Sequence, residues 1–160
     1  MHSIANVKVG PKVLTSAVAG LLVTAAGVFA ATAQNQSLRA EADVARLEET
    51  ISQFFDRMSF GEVDDAFNDL LAGSLIQQQA AARRDLIEKA SSLETQFGTA
   101  EGFEQITRRR IGTDVVRLTY LYKCERYPIV WRFVYYRLGT SERWKLIAVR
   151  FDTDLGSLDI

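Results

Sequence analysis

The chain has one cysteine and one histidine in 160 residues. With Cys124 alone, no intrachain disulfide can form. Its plain reading is a half-buried strand thiol, and its reactive reading is a dimer-linking or redox thiol. The histidine is His2, ahead of an apolar run, and would leave with that segment if it were removed. Ser-His-Asp and Cys-His machinery and His-ligated zinc are then unavailable. There is no Gly-rich phosphate loop, no nucleophile-elbow motif, no internal repeat and no low-complexity tract. Nor is there a large charge of one sign, the formal net charge being −1. No cofactor is implied by any motif.

What is present begins with an address. "MHSIANVKVGPK" carries Lys8 and Lys12 and no acid; the apolar, small-residue-rich "VLTSAVAGLLVTAAGVFA" follows, then "ATAQ". Ala31 and Ala33 stand at the small-x-small positions of a signal-peptidase site. Residues 1–33 therefore read as a signal peptide cleaved after Ala33. The alternative is a retained membrane anchor, for which a run of 18 residues is short. Either way the positive end stays inside and the domain is exported, to the periplasm or beyond. Residues 34–37 read as a short linker and 38–160 as one domain, long enough to bury a core.

Residues 38–58 read as a helix. Val44, Leu47, Ile51, Phe54, Phe55 and Met58 recur at helical spacing and form one stripe. A second helix is expected over about 62–72, with acids at 62, 64 and 65 suiting its N-terminal dipole. Ser74 and Gln77 fit a capping box opening a third helix, whose buried side is Ile76, Ala80, Ile87, Ala90, Leu93 and Phe97, closed by Gly98. Beyond Gly102 the period becomes 2. Strands are expected at about 104–111, 115–124, 129–137 and 143–152, and their short links imply an antiparallel meander. The fold class is α+β: three N-terminal helices packed on a curved four-stranded antiparallel sheet.

Alternation assigns faces. Val116, Leu118, Tyr120, Tyr122, Ile129, Trp131, Phe133, Tyr135, Ile147, Val149 and Phe151 are expected toward the helices. Tyr120, Tyr122, Trp131, Phe133 and Tyr135 could wall a small apolar-ligand cavity or fill a core. The other face is only partly polar. Leu121, Val130, Arg132, Val134, Tyr136, Trp144 and Leu146 are expected there, a patch suited to a symmetric homodimer. Because Arg132 alternates with Trp131 and Phe133, the arginines and main aromatics do not share a surface, which disfavours nucleic-acid binding. Asp56, Asp65, Asp152 and Asp154 are the carboxylates worth testing as acid or base groups.

Charge is uneven along the chain. Residues 41–104 hold 14 acids and 5 bases, whereas 105–160 hold 6 acids and 11 bases. That asymmetry suits self-association of the basic sheet with the acidic helices, or contact with an anionic surface.

"FGEVDDAFNDLLAGS", "YPIVWRFVYYR" and "RWKLIAVRFDTDL", in that order, resemble the second helix and last hairpin of the nuclear-transport-factor-like superfamily, also called ketosteroid-isomerase-like or SnoaL-like. The likeness covers roughly 38–155. It implies a sheet wrapped like a cone around the long helix. Members include isomerases, dehydratases, ligand binders and dimerisation modules, so fold leaves function open. Enzymatic relatives place His-Asp, Asp alone, or Tyr with Asp inside the cone. Here the inward strand face holds tyrosines and no carboxylate. The leading expectation is a binding or interaction module without built-in catalysis. The alternative is an isomerase- or dehydratase-like enzyme using tyrosine and aspartate.

Overall fold

The computed structural model describes residues 23–139 and 143–158. The basic start and the first part of the expected signal segment lie outside them. The chain divides into two compact units, Met1–Asp43 and Val44–Ile160. Helix α1 spans Val23–Ser59 and includes residues 34–37. No described helix is long and apolar enough to cross a membrane.

From Val44 onward, α1 buries the stripe its spacing dictates. Val44, Ile51, Phe54, Phe55 and Met58 are buried, and Leu47 packs beside them. The helix stops where Gly61 takes φ 77°, a left-handed conformation that glycine adopts without a Cβ clash. Helix α2, Val63–Leu70, follows with Asp64 and Asp65 in its first turn and buries Ala66, Phe67 and Leu70.

One third helix was the expectation; the structure has three, α3 Leu75–Gln78, α4 Ala80–Ser91 and α5 Leu93–Phe97. The start is as expected. The Gln77 N–H donates to the Ser74 hydroxyl oxygen at 3.2 Å, and the Gly73 N–H donates to Gln77 Oε1 at 2.9 Å. The break lies at Gln79, whose ψ of 84° is not helical. It shifts the phase of the downstream stripe. Ala80 is exposed, while Leu86 joins Ile87 against the core. Gly98 ends α5 at φ 85°, and a Cβ there would lie 2.8 Å from Glu125 Cβ.

The sheet is the expected antiparallel meander, β1 Ala100–Ile111, β2 Val115–Cys124, β3 Ile129–Tyr136 and β4 Lys145–Asp152, in spatial order β1-β2-β3-β4. Two irregularities matter. Register shifts between Gln105 and Thr107, and again where Val134 pairs Ala148 but Tyr135 pairs Leu146. The second is a bulge with Ile147 as the extra residue. It reverses the expected facing at this point. Leu146 is buried beside Tyr135, and Ile147 is 45% exposed.

Candidate functional site

The helix-facing side of the sheet is filled by rings. Trp131 stacks on Phe151 at 4.2 Å and meets Phe54 edge-on at 5.3 Å. Phe55 stacks on Phe103 at 5.0 Å and on Tyr122 at 5.2 Å, and Tyr120 meets Phe133 edge-on at 5.9 Å. Such pairs contribute about 0.5–1.5 kcal/mol each beyond area burial. The five proposed cavity-wall residues, Tyr120, Tyr122, Trp131, Phe133 and Tyr135, are all buried in this packing. The structure brings them together as core.

Tyr122 also borders a cavity of about 40 Å³ between the end of α1, α4–α5 and the start of β1. Cys124, Met58 and Glu94 share its lining. That volume has room for about three waters, at roughly 10–15 Å³ of this kind of space for each. Burial, then Cys124 and Glu94, push the Tyr122 hydroxyl up to about 12. Burial also pushes the Cys124 thiol up, so its reactive thiolate is disfavoured.

Sequence reasoning missed Glu48. It holds α1 to β1, accepting from Gln105 Nε2 at 2.8 Å and lying 3.6 Å from Arg108 Nη1. Burial and then the Glu48 charge raise Tyr120, with Arg108 opposing. Burial and then Tyr120 raise Tyr135, whose hydroxyl is buried without a hydrogen-bond partner. The four aspartates named as acid or base candidates are exposed. Asp152 accepts from Arg132 Nη1 at 2.7 Å, and Asp154 caps the short 3-10 turn at Leu155–Ser157. No cluster of potential metal ligands occurs among the described residues.

Register orders the outer face into rows. At one end lie Ile111, Val115, Tyr136 and Lys145; next come Arg109, Arg117, Val134 and Ala148; then Thr107, Thr119, Arg132 and Arg150. The last row is Glu104, Leu121, Val130 and Asp152. Arginine thus faces arginine across strands twice, Arg109 with Arg117 and Arg132 with Arg150. Like charges directly opposite are destabilising. Arg132 has Asp152 and Lys123 has Glu104, 2.7 Å each. Among the described residues, Arg109 and Arg150 have no such carboxylate.

Of the six interface candidates, Arg132, Leu121, Val134 and Tyr136 lie on this face. Leu146 does not, because the bulge turns it into the core. Trp144 is half-buried against the core, with the Arg137 guanidinium 4.7 Å from its ring centre. Val130, expected at the surface, is fully buried. The arginine rows could not be assembled from alternation alone, since they depend on the register between strands. No protein-family model, no curated protein and no solved structure matches this chain.

Proposed function

We propose that the chain is an exported interaction module of the nuclear-transport-factor-like type, working through the outer face of its sheet rather than through a cavity in a cone. The observation that carries this is the basic outer face, on which the register sets Arg109 opposite Arg117 and Arg132 opposite Arg150. Arg109 and Arg150 are exposed cations of this face, which an acidic partner would complement. The aromatic core supports the same reading, because its rings occupy the space an apolar ligand would need.

A symmetric homodimer through this face is the weaker form of the proposal. Leu146 and Val130 are withdrawn from the surface. Two copies face to face would also bring arginine rows against arginine rows. An isomerase- or dehydratase-like enzyme has Glu48 beside Tyr120 in its favour. That carboxylate is already engaged by Gln105 and Arg108, which suits a clamp between α1 and β1.

Titration with poly-L-glutamate tests the reading. Binding should be salt-sensitive and weaken in Arg109→Gln and Arg150→Gln. No binding at low salt, or binding indifferent to both substitutions, would refute it.

A further inference from the structure

Charge and apolarity are graded along the outer face, and the gradient has a direction. The acids Glu104 and Asp152 share the row at one end. At the other end Lys145 shares a row with Ile111 and Tyr136, and Arg109 and Arg117 form the next row in. Exposed apolar side chains gather at this same basic end. Ile111 is 50% exposed at the last position of β1, and Leu138, just beyond β3, is 68% exposed. Ile147 at the bulge and Tyr136 are exposed too.

We infer that this end of the sheet rests on an anionic phospholipid surface, with Arg109, Arg117 and Lys145 at the headgroup phosphates, Arg150 one row behind them, and Ile111, Tyr136 and Leu138 at the acyl boundary. The inference rests on the basic-face reading and names its partner. Each element has a physical warrant. Basic side chains near an anionic bilayer are attracted electrostatically. Exposed aliphatic residues beside them gain by partial burial in the interface. Tyrosine suits the boundary, having an apolar ring and a polar tip. An acidic soluble partner would satisfy the arginines and leave Leu138 and Ile111 in water. A second copy docked sheet to sheet would oppose cation to cation.

The test uses the full-length chain with vesicles of phosphatidylcholine, with and without phosphatidylglycerol, carrying brominated acyl chains. Trp144 adjoins the proposed contact and Trp131 is sealed in the core, so quenching reports Trp144. Quenching is expected only with phosphatidylglycerol, should vanish at high salt, and should be absent in Trp144→Phe. The docked fraction should fall about fivefold for each arginine neutralised, Arg109→Gln or Arg150→Gln, as expected for one basic residue at an anionic surface. Leu138→Ser should reduce it with charge unchanged. Equal quenching in both vesicle types, or none in either, would overturn the membrane contact. If poly-L-glutamate still binds in that case, the basic-face reading survives and only the lipid partner falls. If neither binds, both fall.

Discussion

Tyr135 of β3 pairs with Leu146 of β4, while its neighbour Val134 pairs with Ala148. One residue, Ile147, is left over. A side-chain period of 2 makes any such insertion reverse the facing beyond it. Leu146 is thereby taken into the core, and the apolar patch expected on the outer face loses a member.

This pairing predicts opposite outcomes at adjacent positions. Leu146→Ala should cost about 2–5 kcal/mol, the range for a truncated core leucine. Ile147→Ser should change stability by no more than about 0.5 kcal/mol, as at ordinary surface sites. Urea unfolding of both variants checks it, and a larger loss at Ile147 would place the bulge elsewhere.

The two tryptophans should differ in the same way. Trp131 is fully buried between Phe54 and Phe151, so Trp131→Ala should destabilise by roughly 3–5 kcal/mol. Trp144 is half-buried at the sheet end, and Trp144→Ala should cost clearly less. Equal losses in denaturant unfolding would contradict the face assignment.

The arginine rows predict a conflict between stability and binding. Arg150→Gln removes a cation opposite Arg132 and should stabilise the domain by about 0.2–1 kcal/mol, the scale of cross-strand pair effects. Arg132→Gln should instead cost up to about 1 kcal/mol, since it breaks the pair with Asp152. Thermal unfolding at low salt reads both. Destabilisation by Arg150→Gln would show that Arg150 is held by a favourable contact.

Alkali should unfold this protein through its tyrosines. Tyr120, Tyr122 and Tyr135 all have hydroxyls raised above the usual value, chiefly by burial. The folded state then keeps protons that the unfolded state releases. Stability should fall as pH rises past about 10, the ordinary tyrosine pKa, and go on falling toward the folded values. Below about 10 these three groups should contribute no slope. Urea midpoints measured against pH test this, and an unchanged midpoint through the tyrosine range would contradict the burial of the hydroxyls.

Local periodicity was enough for much of the architecture. The spacing of Val44, Ile51, Phe54, Phe55 and Met58 can put those side chains on one side only if the backbone is helical. The limits of β2, and the burial of Trp131 and Phe133 with Arg132 turned away, follow from period 2 and short links. The cap at Ser74 was equally legible, because a hydroxyl and an amide three residues apart meet free backbone donors at a helix start. Tertiary structure decided the rest. The break at Gln79 has no glycine or proline to announce it. The bulge at Ile147 depends on how β4 docks against β3, which no single strand encodes. Glu48 meets Gln105 and Arg108 across 57 residues of chain in the first case, a contact that exists only once α1 lies on β1. The opposed arginine pairs belong to the register between strands. The sequence therefore determined which residues could be inside, and the packing of strand on strand and helix on sheet determined which charges had to face one another outside.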